Sequence, residues 1–307
     1  MKKKWVALGS AVGISSIVMV TAGMSVMAGT SGYDAYKSAL KTTKSAASFS
    51  VQAEAAVKDN GAVLTSANGS FKASRDNGTG SGRIEVASGG AGQKLSFYKQ
   101  DDGVVFKTDD SDVYYVKPGD PEKEKRSKSN ESVDPAIPQQ VETVIDALVG
   151  NLKDYVAVDE KADGSKEVSV ELTGAQIPAV VNAIVPIAVK RAADGHGGFG
   201  EREKADGQGK LPFDKNLLAN KPQLSQDIKI DKIGLKAVID ESNFITHQEA
   251  AITISGKDDA GTPHVVSLQL NADFSDYNNT TPDQADLTGQ TIQTIENEHK
   301  WKRGHGR

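Results

Sequence analysis

Between residues 48 and 117 apolar and polar side chains alternate, and acidic, amide and glycine residues interrupt the alternation at short intervals. In SFSVQAEAAVKDNG, Phe49, Val51, Ala53, Ala55 and Val57 fall at every second position, as a strand with one buried and one wet face requires. Asp59-Asn60-Gly61 then closes the run, because Asn and Gly accept the positive φ of a two-residue hairpin. The same punctuation recurs in KQDDGVVF, EKADGSKEV and GKDDAGTPHVV. AVLTSANGSFKAS, GRIEVAS, KLSFYKQ, VVFKT and VYYVK therefore read as short strands of an antiparallel meander. After residue 212, IGLKAVID, FITHQEAAITISG and HVVSLQLNADFSDY predict a second meander, and DLTGQTIQTIE adds an edge strand.

Elsewhere the period changes. Tyr33, Tyr36, Leu40 and Thr43 share one face of a short helix over residues 32–46. Residues 139–156 place Val141, Val144, Ile145, Leu148 and Leu152 in one stripe, the pattern of an amphipathic helix. In residues 175–193, Ile177, Val180, Val181, Ile184, Val185 and Ala188 make a broad apolar face, with Pro186 as a kink or stop. Two segments are charged and rich in Pro or Gly, residues 118–138 and 193–212; both read as solvated loops.

Strands on either side of helices predict an α+β fold. The expected arrangement is one curved antiparallel sheet, a half-barrel built from both meanders over residues 31–295, with the central helices covering its concave face. That layout resembles the bacterial lipoprotein-carrier superfamily of LolA-like and LppX-like proteins. The features carrying the resemblance are the leading helix YDAYKSALKTTKSAASFSVQAE running into a strand, the mid-chain helices, and the closing strand HVVSLQLNADFSDYNN. The resemblance implies an acyl chain or a lipoprotein held between sheet and helices. It carries over no functional residue, and the lipobox cysteine of the lipid-anchored members is missing. Two readings of the helix faces follow. Val144, Leu148, Ile177, Val181 and Ile184 either line a ligand cavity or fill a solid core, as in a structural or protein-interaction domain of the cell envelope.

The N-terminus sets the expected location. MKKK precedes an apolar run that ends at Val26-Met27-Ala28, the form of a signal peptide cut after Ala28. The run is also close to the roughly twenty residues that span a bilayer, so residues 1–30 are either cleaved or retained as an anchor. Both alternatives export the remainder, secreted or tethered at the outer face of the cytoplasmic membrane. The chain has no cysteine, which among exported proteins fits a Gram-positive bacterium better than a eukaryotic secretory route.

The composition is 37% hydrophobic and 6% aromatic with a net charge of -5, which argues against a nucleic-acid binder. The acidic clusters lack the spacing of a calcium loop and suit turns. His196, His247, His264, His299 and His305 lack metal-ligand spacing and read as surface or turn residues. No nucleophile elbow, Walker loop or metalloprotease helix occurs. The expectation is a non-enzymatic protein without cofactor or metal, whose partner is membrane lipid or a lipoprotein. The basic tail, residues 296–307, reads as a disordered end that can touch anionic cell-wall polymer.

Overall fold

The computed structural model describes residues 32–100, 103–119, 155–178, 217 and 224–295. After one helix, α1 (Gly32–Ser45), come six strands: β1 (Ser48–Asp59), β2 (Ala62–Ser74), β3 (Thr79–Ser88), β4 (Ala91–Gln100), β5 (Gly103–Thr108) and β6 (Val113–Pro118). Six more follow: β7 (Val156–Glu160), β8 (Lys166–Thr173), β9 (Gln226–Ile239), β10 (Ile245–Lys257), β11 (Pro263–Ser275) and β12 (Thr291–Thr294). All twelve belong to one sheet in the order β12-β6-β5-β4-β3-β2-β1-β11-β10-β9-β8-β7. The hairpin turns use the residues expected of them, with Asn60 at φ 48° and Gly61 at φ 84° between β1 and β2.

This architecture corrects the expected one. The sheet is mixed, since β12 runs parallel to β6. The reason is the path of residues 276–290. Asn278 donates its N–H to Ser48 O (2.7 Å), and Thr280 meets Ser50 through their hydroxyls (3.0 Å). Asp283 accepts from Lys72 (3.0 Å) and donates its N–H to the Ser81 hydroxyl (2.9 Å), and Ala285 N–H reaches Gln100 Oε1 (2.7 Å). The segment so crosses β1, β2, β3 and β4 in turn and delivers β12 to the outer side of β6. A local alternation of apolar residues carries no information about such a crossing.

Central helices do not cover the sheet in the described structure; α1 is the one α-helix there, and it lies on β7 to β10. The expected helices over residues 139–156 and 175–193, and the loops at 118–138 and 193–212, fall almost wholly outside the described residues. Ile177 is the exception, and it is not helical. It follows a 3-10 turn, Gly174–Gln176, with extended backbone (φ -75°, ψ 122°), as a residue before proline prefers.

Alternation sorts the sheet into an apolar and a polar face. Cross-strand partners share a face, so the pairs Val51–Phe274, Ala53–Ala272, Ala55–Leu270 and Val57–Leu268 place the apolar sides of β1 and β11 together. The intervening positions hold Gln52, Glu54 and Lys58 against Asp273, Asn271 and Ser267. α1 covers one end of the apolar face. Ala39 and Leu40 pack with Val168, Ala237, Ile239, Ile245 and Phe274, and Thr43 Oγ1 accepts the buried Ile245 N–H at 3.0 Å. The helix begins at a glycine because a Cβ on Gly32 would stand 2.8 Å from the Val156 and Ala157 carbonyl oxygens of β7. Further along the same face, Phe71 lies over Gly69 and Gly82, and Phe97 also lies over Gly82, with ring centroids 6.0 Å apart. These rings fill the space that two glycines leave in the sheet.

Candidate functional site

The apolar face is most continuous across five strands, and register shows it as rows. Val57, Leu268, Ile252, Ile233 and Leu172 stand side by side on β1, β11, β10, β9 and β8. The next row is Ala55, Leu270, Ala250, Leu235 and Val170. The third is Ala53, Ala272, Gln248, Ala237 and Val168, lying under α1. Gln248 is the one polar side chain of the three rows, and it is buried with its Oε1 facing the Tyr36 hydroxyl at 3.4 Å. Burial raises the Tyr36 phenol to about 12, so it remains a neutral donor there.

The cover is incomplete. Ile252 is 37% and Leu268 38% exposed, although the other members of their row are buried or half-buried. Val57, Ile233, Leu235 and Ala250 around them are half-buried. An open aliphatic window of this kind, with no charge and no hydrogen-bonding group among these six residues, can recognise only an apolar surface.

Beyond the window lies a row of Val266, Ile254 and Ile230, which are buried with Leu172, Ile177 and Leu224. Ile177 is thus a core residue that packs beside the window. Val144, Leu148, Val181 and Ile184, expected to line the same cavity, lie outside the described residues, as do the cleavage position Ala28 and the basic tail.

The hairpin end of this face holds a polar cluster. Asp59, the last residue of β1, stands opposite Val266. Its Oδ2 is 2.7 Å from His264 Nδ1, and His264 Nε2 faces Asp258 Oδ2 at 3.6 Å. Asp258 also accepts the Thr262 N–H at 2.7 Å; that bond above all holds its carboxyl below the usual range. The hydrogen bond to Asp59 is the main reason that the His264 imidazole is shifted above its ordinary value. A second histidine sits on the polar face, where His247 Nδ1 meets Asp273 (2.7 Å) and Nε2 meets Glu249 (3.0 Å). The Asp273 bond chiefly moves it upward too.

Both histidines were expected as plain surface or turn residues. Asp59 and His264 are 205 positions apart, and only the pairing of β1 with β11 brings them together. His247 was partly legible, since Glu249 two residues on must share its strand face. The turn reading of Asp258 is correct as far as it goes, because Asp258 does cap its own loop. Among the described residues no group of three His, Asp or Glu is placed to hold a metal ion. His264 has one ring nitrogen bonded to the Asp59 carboxylate and the other turned toward that of Asp258. A groove on the polar face, lined by Glu85, Gln93, Lys94, Asp109 and Asp110, is crossed by the Lys94–Glu85 and Arg83–Asp109 pairs.

No protein-family model and no curated protein matches the chain. Among solved structures it is similar to a DUF1329 family protein from Desulfovibrio piger, at 10% identity and a TM-score of 0.21, over 83% of this chain and 94% of that one. The likeness is distant.

Proposed function

We propose that this chain is an exported, non-enzymatic cell-envelope protein that holds an apolar ligand, an acyl lipid or a lipid-modified protein, on the aliphatic face of its sheet. The observation that carries the reading is the window at Ile252 and Leu268, apolar and open among buried and half-buried aliphatic neighbours. Its chemistry selects the ligand: aliphatic side chains with no donor, acceptor or charge bind methylene chains by burial alone, at roughly 0.8 kcal/mol per CH₂. The pattern resemblance to the LolA-like lipoprotein carriers points the same way. The basic N-terminus followed by an apolar run supports export, with the domain secreted or tethered outside a Gram-positive cytoplasmic membrane.

Two experiments test it. Full-length protein purified from its host is examined by native mass spectrometry with parallel lipid extraction, beside Leu268→Glu and Ile252→Glu. Because both positions are more than a third exposed, the carboxylates leave folding nearly intact by circular dichroism and abolish a co-purifying acyl mass. Wild-type protein without such a mass, or variants that retain it in full, would overturn the carrier reading in favour of a solid structural domain. For location, protease added to intact protoplasts digests the domain; complete protection refutes export.

A further inference from the structure

The polar cluster at the hairpin end joins three separate segments of the chain. Asp59 ends β1, Asp258 lies in the β10–β11 turn, and His264 opens β11. The β1–β2 turn is already docked on β11 by Asn60. Its N–H donates to Val265 O at 2.9 Å, and its Oδ1 accepts the Val265 N–H at 3.0 Å. The imidazole is then the link that extends this docking to the β10–β11 turn.

Two details show that one half of this link is conditional. The first is distance: Nδ1 is hydrogen-bonded to Asp59 at 2.7 Å, whereas Nε2 stands 3.6 Å from Asp258, beyond hydrogen-bonding range. The second is burial. His264 Nε2 and Asp59 Oδ1 are buried atoms with no hydrogen-bond partner, a costly condition for polar atoms. A neutral ring that donates from Nδ1 must turn a lone pair from Nε2 toward the Asp258 carboxylate, which is repulsive. A protonated ring donates from both nitrogens.

We propose that His264 is a proton-operated clamp, which fastens the β1–β2 hairpin end to the β10–β11 turn when protonated and releases the Asp258 side when neutral. Among the described residues the groups facing it are few. Asp59 faces it from β1 and Asp258 from the turn, while its partner on β10 is Gly256, which has no side chain. The neighbouring Lys257 is engaged by Asp227 at 2.7 Å, and Asp259 is exposed in the turn. Asp258 stays ionised well into the acid range because the Thr262 N–H holds it so. The folded-state value of His264 is raised, so its stabilisation is complete below the ordinary 6.5 and is lost as pH rises through the folded value. The clamp is closed in weakly acidic surroundings and half-open in alkaline ones, with or without a ligand on the apolar face.

Amide exchange on the full chain reads this clamp directly. The imidazole of His264 is titrated by NMR, and protection of the Asp258 and Thr262 amides, which close the β10–β11 turn, is followed from pH 5.5 to 9 after correction for intrinsic exchange. Protection at both amides is expected to fall by about tenfold or more across the His264 titration. In Asp258→Asn, whose amide oxygen still accepts from Thr262, protection no longer follows that titration. His264→Gln keeps a donor for Asp59 and removes the step as well. Corrected protection in the wild type that is flat with pH, or a step of undiminished size in Asp258→Asn, overturns the clamp; if His264→Gln fails to fold, the other two measurements decide.

Discussion

The docking of α1 on the sheet can be tested by making one truncation in two environments. Leu40 is 6% exposed and is enclosed by β8, β9 and β10 residues, whereas Leu268 on the same face is 38% exposed. Leu→Ala at a buried site removes transfer energy and leaves a cavity, at about 2–5 kcal/mol. Because Ala is at least as good a helix former as Leu, the change at Leu40 costs no helix propensity and reports packing alone. Leu40→Ala should therefore destabilise by about 3 kcal/mol. At roughly 2–4 °C per kcal/mol for a domain of this size, that is about 6–12 °C in the unfolding midpoint. Leu268→Ala already has much of its side chain in water and should cost about 1 kcal/mol or less, roughly 2–4 °C. Thermal unfolding followed by circular dichroism, with urea titrations to confirm equal m-values, measures both. A Leu40→Ala shift no larger than that of Leu268→Ala would show that α1 does not cover the sheet.

Four further outcomes follow from the same structure. Gly103→Ala should destabilise by about 2 kcal/mol or more, because its φ is 143° and a Cβ would stand 2.3 Å from Lys117 O. Gly234→Ala, with nothing within 4 Å of the new methyl, should raise the urea midpoint slightly. Asn278→Ala loses the 2.7 Å bond from Ala47 N–H to Asn278 Oδ1 and forces alanine to φ 60°. About 1–2 kcal/mol is expected, read as faster limited proteolysis within residues 279–290; unchanged cleavage would show that the crossing segment is held elsewhere. For His247, whose value is raised by Asp273 and Glu249, the stabilisation is present below pH 6.5 and fades as pH rises through the folded value. Comparing His247→Gln with wild type should show a difference of at most about 1 kcal/mol at pH 5.5 that shrinks by pH 8.5; a difference growing with pH would contradict the pairing.

What the sequence determined by itself was local. Alternation at Phe49 to Val57 and at Val266 to Phe274 set the strands and their faces, because a pleated backbone turns every second side chain to the same side. Asn60-Gly61 set a turn, because few residues tolerate positive φ. The stripe of Tyr33, Leu40 and Thr43 set the face that α1 buries. At Gln226 to Lys232 the alternation of Ile228 and Ile230 with charged residues extended β9 seven residues before the expected start, since a strand gains cross-strand bonds wherever a partner is present. Which surfaces meet was decided by tertiary structure alone. The β1–β11 pairing, the crossing by residues 276–290 that makes β12 parallel to β6, and the meeting of Asp59, Asp258 and His264 all join residues far apart in the chain. A periodicity repeats over a few residues and records which side of an element is apolar. It holds no record of the partner that side finds, because that choice rests on the packing and hydrogen bonding of all the elements at once.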